Sequence, residues 1–594
     1  MTPSRPHRRP PPRRPLGPRP ARPAAVNVQV PPLAPGNIRI IPLGGVEEIG
    51  KNCTVVEIGN DIIVIDIGLA FPGEEAPGID YIIPDTTYLE QNKARVRGVI
   101  ITHGHLDHTG GIPYVMNRIG NPPLYTRNLT SLFIKKRMEE FPHLPALNLI
   151  VVENESKIKL GEIPVRFFGV THTIPDSFGV IIETPYGPIV TPGDFKLDLD
   201  EVNGKPTAEE EARYAIFDRE KTLLLMSDST NIENPGFSIP ERETIKNLGE
   251  IIKNVKGRLF IGTFASQLER MIKIIGFVEK YGRKLVVEGR SMKTNIDVAT
   301  LAGMLTVKKG TIISAQEIGN YPDDKVVVLA TGAQGEEFAA LMRMATKTHK
   351  YLRFKKGDTV LLSSSIIPGN EITVQKLKDN IARQGAKIIS YRTSEVYIHS
   401  SGHGNRGEIE WLHRKIKPKF FIPIHGSHHK LRQHEELALE VGMAESNIVV
   451  PDNGMIIEIQ DGGNKIVPLK EMAPNKQVMV DQTGTNDVKE VVVRDRQLLA
   501  QDGMFVIIAI IDIRTGRVRK SPDIISRGFV YLKESQDLLR TVRMLAKKKI
   551  EEATAQMHPI NFDYVKNVVR EEVAKFLFQK TMQRPIILPV LIEV

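Results

Sequence analysis

The chain has 594 residues, of which 41% are hydrophobic and 25% are charged, which is ordinary for a protein with several globular domains. It has no apolar run near the roughly 20 residues of a membrane-spanning helix, and its Arg- and Pro-rich start lacks the apolar stretch of a secretory signal. The single cysteine, Cys53, cannot form an internal disulfide, so we expect a cytoplasmic protein that does not associate with membranes.

The net charge of +10 is concentrated at one end of the chain. Residues 1–25 contain seven arginines and no acidic residue, which leaves 73 basic and 70 acidic residues, a net of +3, in the rest. A segment so poor in apolar side chains cannot bury a core, so residues 1–37 are predicted to be a disordered tail. The tail is either a solvated extension or a tether that binds nucleic-acid phosphates without specificity.

The pattern of apolar residues from Ile38 onward predicts a layered α/β domain over residues 38–237. Strands are predicted at Ile38–Leu43, Thr54–Ile58, Ile62–Ile65, Val99–Thr102, Val165–Gly169, Gly179–Glu183, Pro188–Thr191 and Leu223–Ser227. Ser131–Glu140 has the pattern of a helix. The strand at Val99–Thr102 leads directly into a loop that is rich in histidine.

Residues 238–388 differ, because helices alternate there with strands of the fully buried type. The predicted helices are Glu241–Val255, Gln267–Tyr281, Ile296–Gly303 and Glu336–Thr346, and the predicted strands are Arg258–Gly262, Lys284–Glu288, Lys325–Ala330 and Thr359–Ser363. This alternation predicts a parallel sheet with crossover helices. Loops that contain histidine also follow Lys387–Tyr391 and Phe420–Ile424, beyond the block. We therefore interpret the block as a domain inserted into the first one, which resumes over residues 389–460.

The rest of the chain is predicted to be a polar linker, residues 461–490, and a small α+β domain, residues 491–594. In that domain we predict strands at Met504–Ile513, Gly528–Tyr531 and Ile586–Ile592 and helices near residues 535–556 and 563–580. Its apolar strands need burial, either against the domain's own helices or against a second subunit.

The most informative motif is Thr102-His103-Gly104-His105-Leu106-Asp107-His108, which places four potential metal ligands within six residues just after a strand. Three histidines and one aspartate on a loop have little structural use without a metal. Imidazole and carboxylate groups together suit zinc, and manganese also fits them. One tetrahedral ion cannot use all four ligands and keep an open catalytic position, so two adjacent ions better explain the spacing.

This motif, with Thr109-Gly110-Gly111 after it, resembles the signature of the metallo-β-lactamase superfamily, which implies an αββα sandwich. Further elements of that pattern follow in order at Asp66, His172, Asp194 and His425. By this resemblance His103, His105 and His172 hold one zinc ion, Asp107, His108 and His425 hold the other, and Asp194 bridges them. Asp66 is expected to orient a ligand through a hydrogen bond without binding an ion itself.

The inserted domain resembles the β-CASP domain that the nucleases of this superfamily carry. Ser227-Asp228-Ser229-Thr230-Asn231 and His399-Ser400-Ser401-Gly402-His403 resemble the two motifs that flank such a domain. The segments Gly44–Asn52, Ile79–Asp85 and Ser363–Glu371, together with the C-terminal domain, resemble the bacterial ribonuclease J family.

The resemblance implies a two-zinc ribonuclease that cleaves single-stranded RNA both internally and from a 5′ end, with a preference for a 5′-monophosphate. It also implies roles in ribosomal RNA maturation and messenger RNA decay, a homodimer or homotetramer, and a place in an RNA-degradation complex. Asp228 and His403 are the candidates for proton transfer, with Asp228 as donor and His403 as acceptor by resemblance. The residues expected to contact RNA phosphates are Ser266, Gln267, His399, Ser400, Ser401, Gly402 and His403.

Gln267 and Glu269 stand where the family pattern has Asn and His, so the sequence does not fix the details of substrate binding.

Three other functions are compatible with the same motifs. A DNA-directed β-CASP nuclease is disfavoured by the ribonuclease J segments. A non-catalytic RNA-binding paralogue would have lost ligands, and none is missing from the sequence. A small-molecule hydrolase of the same fold leaves the insertion unexplained.

Overall fold

The computed structural model describes residues 30–594 apart from residues 74–75, 201–203, 337–338, 368, 481–489, 530–534, 556 and 558. Most of the predicted tail lies outside the described residues, as do residues 481–489 of the predicted linker and the second half of the predicted strand Gly528–Tyr531. Among the described helices, none combines the length and the apolar character needed to cross a bilayer.

The first part of the chain forms two sheets with short helices around them. Its elements are β1 (Ile38–Gly44), β2 (Cys53–Ile58), β3 (Asp61–Ile65), β4 (Tyr81–Ile83), α1 (Thr87–Gln91), β5 (Val96–Ile100), α2 (Leu106–Thr109), α3 (Ile112–Val115), β6 (Leu124–Thr126), α4 (Asn128–Met138), β7 (Leu149–Val151), β8 (Lys157–Leu160), β9 (Ile163–Gly169), β10 (Phe178–Ile182), β11 (Ile189–Thr191), α5 (Ala208–Tyr214) and β12 (Leu224–Asp228).

The inserted block and the return to the first domain follow in chain order. The block contains α6 (Glu241–Asn254), β13 (Leu259–Gly262), α7 (Leu268–Lys280), β14 (Lys284–Glu288), α8 (Arg290–Leu301), β15 (Val326–Ala330), α9 (Ala340–Ala345), β16 (Thr359–Leu362), α10 (Glu371–Ala382) and β17 (Lys387–Ser390). The chain then forms α11 (Arg406–Ile416), β18 (Phe420–Ile424), α12 (His428–Glu440), β19 (Met455–Gln460), β20 (Lys465–Met472) and β21 (Val478–Val480).

The first domain is a sandwich of an eight-stranded sheet, in the order β20-β19-β1-β2-β3-β5-β6-β7, and a six-stranded sheet, in the order β18-β12-β11-β10-β9-β8. The inner faces pack through alternate apolar residues such as Ile40 and Ile63 on one side and Val180 and Leu224 on the other. Helices cover both outer faces, with α3 and α4 on the larger sheet and α11 and α12 on the smaller one. The predicted αββα sandwich is confirmed.

The inserted domain is a five-stranded, wholly parallel sheet in the order β14-β15-β13-β16-β17. Its three inner strands, β15, β13 and β16, are buried throughout because helices cover both faces of the sheet. Helix α8 begins at Arg290, six residues before the predicted start, directly after Gly289 at φ 123°. Helix α4 of the first domain packs on α8, and its Leu129 lies in the core of the inserted domain.

The segment predicted to be a polar linker differs from the prediction where the structure describes it. Strand β20 pairs antiparallel with β19 and forms an edge of the larger sheet, and β21 pairs with β4. Only Ile466 of β20 is fully buried. Such an edge strand has mostly exposed side chains, so its composition resembles that of a linker.

The C-terminal domain contains α13 (Glu490–Asp502), β22 (Met504–Ile511), β23 (Asp523–Arg527), α14 (Gln536–Thr554), α15 (Phe562–Thr581) and β24 (Ile586–Glu593). Strand β22 lies between β23 and β24, and α14 and α15 cover one face of this sheet. A strand lies at Asp523–Arg527 and ends before Gly528, which has a φ of 70° in the left-handed region. The first two residues of the predicted strand, Gly528 and Phe529, are not in a strand.

Candidate metal centre

The candidate ligands follow the carboxyl ends of neighbouring strands. His103–His108 follow β5, Asp194 follows β11, and His425 follows β18. Strands β3 and β5 run parallel in one sheet, and β11, β12 and β18 run parallel in the other. All these loops therefore meet at one edge of the sandwich. Asp66 and His425 have φ values of 61° and 55°, so the backbone is held in the left-handed region at this edge.

Three imidazole rings form what we call the imidazole cluster, His103, His105 and His172. His105 Nδ1 lies 3.1 Å from His103 Nε2 and 3.1 Å from His172 Nε2. Burial and the neighbouring imidazoles hold the pKa of His103 and of His172 well below the usual value. These rings are therefore neutral at physiological pH, which is the protonation state that a metal ion requires of them.

A second group, the mixed cluster, contains Asp107, His108 and His425. His425 Nε2 lies 3.2 Å from Asp107 Oδ2, and His108 Nε2 lies 3.5 Å from the same oxygen. Although burial disfavours the cation, Asp194 and Asp107 raise the pKa of His425 to about 10 and hold that of His108 well above its usual value. The carboxylates at this position therefore attract positive charge.

Asp194 lies between the two clusters. Its Oδ2 atom is 3.3 Å from His108 Nε2, 3.6 Å from His103 Nε2 and 3.9 Å from His172 Nε2. That oxygen is buried and makes no hydrogen bond to the described residues. A buried carboxylate oxygen that faces ring nitrogens without a hydrogen bond fits a metal ligand better than a structural acceptor. Each cluster together with Asp194 forms a four-residue group whose ligand atoms lie within 4.8 Å of one another.

Outer contacts fix the orientation of the rings. Asp66 Oδ2 lies 2.8 Å from His108 Nδ1, and Asp66 Oδ1 accepts from the backbone N–H of Thr102 at 2.8 Å. Thr230 Oγ1 lies 2.8 Å from His425 Nδ1. Asn52 Nδ2 lies 3.1 Å from His108 Nε2 and donates to the carbonyl of Asp107. The sequence prediction named Asp66 but missed Asn52 and Thr230, although both lie in motifs that it quoted.

Asp228 and His403, the predicted proton-transfer pair, are in direct contact. His403 Nδ1 lies 2.6 Å from Asp228 Oδ2, and His403 Nε2 lies 3.9 Å from Asp194 Oδ2. Burial opposes both charges, but His403 holds the pKa of Asp228 below its usual value and Asp228 raises the pKa of His403. Each partner therefore favours the charged form of the other, and this direction favours His403 over Asp228 as the group that carries the proton.

Comparison with known proteins gives the family. Family models described as the metallo-beta-lactamase superfamily and the Zn-dependent metallo-hydrolase RNA specificity domain match residues 46–228 and 392–451. Models described as the ribonuclease J beta-CASP domain and C-terminal domain match residues 256–381 and 491–594. The chain is 35% identical to ribonuclease J2 of Bacillus subtilis over 94% of this chain and 99% of that protein. The chain belongs to the ribonuclease J family.

Other relatives agree with this placement. Ribonuclease J 2 of Staphylococcus aureus is 36% identical over 94% of this chain and 98% of its own length. A crystal structure of a protein of unknown function from Enterococcus faecalis V583 shares the fold over 71% of this chain and 100% of its own, with a TM-score of 0.51 at 17% identity. This member of the ribonuclease J family is thus a β-CASP nuclease of the metallo-β-lactamase superfamily with groups that fit a metal cofactor.

The predicted substrate residues differ in how exposed they are beside the metal centre. Ser266 is partly exposed, and its carbonyl oxygen lies 3.4 Å from His105 Nε2. Gln267 is buried directly before α7. His399 accepts a hydrogen bond from Arg270, and Ser400 is 3% exposed and donates to the carbonyl of Ile239. For His399 and Ser400 the geometry favours a structural role over the predicted contact with RNA phosphate.

Ser401, Gly402 and His403 lie nearer to the metal ligands. The side chain of Ser401 accepts from Asn231 Nδ2 at 2.9 Å, and the carbonyl of Gly402 accepts from His172 Nδ1 at 2.7 Å. Within the motif, Ser401 and His403 are partly exposed beside the clusters, and His399 is partly exposed beside Arg270. They remain candidates for contact with the substrate.

A cavity of about 770 Å³ adjoins His105 at the boundary between the two domains. Its wall includes the apolar residues Phe133 and Ile174 and the cation Arg290. Lys136 and Arg137 also line it, and they are paired with Glu139 and Glu140. The guanidinium of Arg137 lies 5.2 Å from the centre of the Phe141 ring. Cations beside aromatic rings are the combination that single-stranded nucleic acids bind.

Proposed function

We propose that this chain is a two-zinc ribonuclease that hydrolyses phosphodiester bonds in single-stranded RNA. The observation that carries the proposal is the pair of ligand clusters that share Asp194, next to the His403–Asp228 ion pair. The names of its curated relatives, ribonuclease J2 and ribonuclease J 2, support RNA as the substrate.

His103, His105 and His172 would hold one ion, and Asp107, His108 and His425 would hold the other, with Asp194 shared between them. When bound, two zinc ions supply a nucleophile from water near neutral pH and offset the charge that develops on the phosphate oxygens. Asp228 raises the pKa of His403, and His403 Nε2 lies 3.9 Å from Asp194 Oδ2 beside the two clusters, so we assign His403 as the donor to the leaving oxygen. Asp228 then holds His403 in place through Nδ1.

The cavity beside His105 is the proposed path for part of the RNA strand. Its aromatic and apolar wall offers surfaces on which bases stack, and Arg290 offers charge to the phosphates. A nucleotide chain that lies there would bring a phosphate past the imidazole cluster, because His105 is part of the same lining.

The test uses zinc-loaded protein and four matched single strands: RNA with a 5′-monophosphate, RNA with a 5′-triphosphate, RNA with a blocked 5′ end, and DNA of the same sequence. We expect cleavage of RNA over DNA, release from the 5′ end that prefers the monophosphate, and internal cuts in the blocked strand. Equal cleavage of RNA and DNA would favour the DNA nuclease, and no cleavage would favour the RNA-binding paralogue. Cytoplasmic roles in ribosomal RNA maturation and messenger RNA decay then predict that depletion of the protein leaves precursor ribosomal RNA and longer messenger half-lives.

The outer face of the C-terminal sheet is the proposed site of self-association into a homodimer or homotetramer. Val506, Ile508 and Ile510 of β22 lie opposite Leu588, Val590 and Ile592 of β24 in register, and they alternate with the residues that face α14 and α15. The three β24 residues are 37–46% exposed. A continuous apolar face of this kind marks an interaction site.

Val590→Lys should therefore shift the protein towards monomers in sedimentation at micromolar concentration, because it places a charge in the centre of this face. Met544→Lys is the control, since Met544 is 58% exposed on helix α14. A wild-type protein that is already monomeric would contradict the proposal. Truncation near residue 485 should give the same monomers.

A further inference from the structure

A buried guanidinium in the inserted domain uses all of its N–H groups. Arg270, in the first turn of α7, is 1% exposed, and its Nε and Nη2 atoms each donate to a carboxylate oxygen of Glu241 at 2.7 Å. Nη2 also donates to the carbonyl of Ser400 at 3.1 Å. Nη1 donates to Nδ1 of His399 at 3.0 Å and to the carbonyl of Ser363 at 3.3 Å. With every donor paired in this fork, the position of each acceptor is fixed.

Two of these acceptors, His399 and Ser400, belong to the segment His399–His403, which joins the inserted domain to the first one and which we call the bridging loop. Burial and the nearby Arg270 lower the pKa of His399 to about 3, so this ring is neutral and accepts from Arg270. From the first domain, Lys196 Nζ donates to Ser400 Oγ and to the carbonyl of Ser401, both at 3.2 Å. Lys196 Nζ also lies 3.5 Å from Glu241 Oε2. The bridging loop is thus held from both domains by buried cations.

The far end of the bridging loop contacts a metal ligand. The carbonyl of Gly402 accepts a hydrogen bond from His172 Nδ1 at 2.7 Å, which leaves Nε2 to face the imidazole cluster. A Cβ atom at position 402 would lie 2.8 Å from Cε1 of His172 and 2.6 Å from the methyl group of Thr173. Only glycine therefore brings its carbonyl this close to the ring.

We propose that Arg270 is a positioning residue for the metal centre: with Glu241 it fixes the bridging loop so that the Gly402 carbonyl orients His172. The affinity of the imidazole cluster for zinc then depends on a contact made inside the inserted domain. This inference rests on the proposed two-zinc function, because it assigns His172 to an ion. Removal of a group that hydrogen-bonds to the second nitrogen of a metal-binding histidine typically lowers metal affinity or activity about 10- to 100-fold.

The test is Arg270→Lys in the full chain. Lysine keeps the charge but cannot reproduce the planar fork, so the loop loses its fixed position. Zinc dissociation constants are measured by competition with a chromophoric chelator in the absence of RNA. We expect one of the two zinc ions to bind about 10-fold more weakly or worse, with a lower kcat and a nearly unchanged KM.

The matched control is Arg258→Lys. Arg258 also forms a buried two-point pair in the inserted domain, with Asp358 at 2.8 and 2.6 Å, and it donates to the carbonyl of Arg353. Arg258 directly precedes the first residue of β13. The bridging loop lies beyond the other end of β13, where Thr263 donates to the carbonyl of Ser363. Loss of a buried pair at this distant place should leave both zinc affinities unchanged.

Glu241→Gln is the second variant and decides the question if Arg270→Lys does not fold. Wild-type zinc affinities in a folded Arg270→Lys or Glu241→Gln protein would overturn the inference, as would an equal loss in Arg258→Lys. If the wild-type protein binds no zinc, the two-zinc function fails and the inference fails with it. If one zinc ion weakens as expected but RNA is never cleaved, the proposed function is wrong and the positioning role stands.

Discussion

The imidazole cluster and the mixed cluster lie on either side of Asp194 but differ in charge. The rings of the imidazole cluster have lowered pKa values because they are buried among other imidazoles. In the mixed cluster, carboxylates outweigh burial and raise the pKa of His108 and His425. The first cluster is thus neutral and ready for a cation, whereas the second holds protons that a metal ion must displace.

The two clusters also differ in what holds them. His105 and His172 contact backbone carbonyls of Ser266 and Gly402, which belong to the inserted domain and to the loop leaving it. His108 contacts Asp66, on a loop of the first domain itself. The difference indicates that the imidazole cluster depends on how the domains pack, and that the mixed cluster depends on the sandwich alone.

Asp194→Asn should have the largest effect, because it removes the one carboxylate that both clusters share. We expect zinc binding to weaken at both sites and RNA cleavage to fall to below about one-thousandth of the wild-type rate. Zinc content and single-turnover cleavage check this, with Asp198→Asn as a control four residues away. Loss of only one ion would show that Asp194 belongs to one cluster, and the description of a shared carboxylate would be wrong.

His403→Ala should lower kcat by about 100-fold or more, because it removes a general acid. Zinc content should stay normal at both clusters, and His143→Ala, at an exposed position, should change neither quantity. The structure makes this test sharper, because Asp194, Asp228, His403 and His425 also form a group whose ligand atoms lie within 4.8 Å. Loss of zinc from the His403→Ala protein would move one ion to that group.

Asp66→Asn should weaken one zinc ion by about 10- to 100-fold and leave the other unchanged. Its carboxylate contacts His108 Nδ1 directly at 2.8 Å, whereas its contact with the imidazole cluster is indirect, through Thr102 Oγ1, which lies 3.1 Å from His103 Nδ1. Asp61→Asn is the matched control, because Asp61 is a buried carboxylate at the opposite end of the same strand. Equal weakening of both ions would remove the distinction between the clusters.

The structure brings the predicted ligands together, and their signal in the sequence is local and ordered. His103, His105, Asp107 and His108 lie within one short motif, and the other ligands follow strands that are recognisable from their apolar residues. Arg270 and Lys196 were missed for a physical reason. Arg270 is 130 residues from Ser400 along the chain, and the sequence does not show whether an arginine is buried or exposed.

Burial also explains why the five residues His399–His403 differ in their access to a substrate. The motif predicts contacts with phosphate for all five residues, but which side chains face the cleft depends on how the two domains meet. Ser400 faces Lys196, and His399 faces Arg270, so their polar atoms are already used. Strand β20 was missed because most side chains of this edge strand are exposed, so its composition resembles that of a linker.

The pH dependence of zinc binding should separate the clusters most finely. Zinc at the mixed cluster must displace the proton of His425, whose pKa is about 10, so its affinity should rise about tenfold per pH unit between pH 6.5 and 8.5 for each proton displaced. The imidazole cluster should show little slope over this range, since its rings are already neutral. Calorimetry in buffers of different ionisation enthalpy counts the protons released, and Asp66→Asn identifies which ion belongs to the mixed cluster.

The raised pKa of His425 also predicts how the stability of the metal-free protein changes with pH. A histidine whose pKa is raised by folding contributes stability that is fully present below its unfolded pKa, near 6.5, and that is lost as the pH rises through its folded pKa. For His425 this loss extends from about pH 6.5 to about pH 10. The melting temperature of the metal-free protein should therefore fall over that interval, whereas zinc-loaded protein, in which the metal replaces the proton, should show a smaller fall. An equal fall in melting temperature with and without zinc would mean that protons and metal do not compete at the mixed cluster. The contrast in charge between the clusters would then have no consequence for zinc binding.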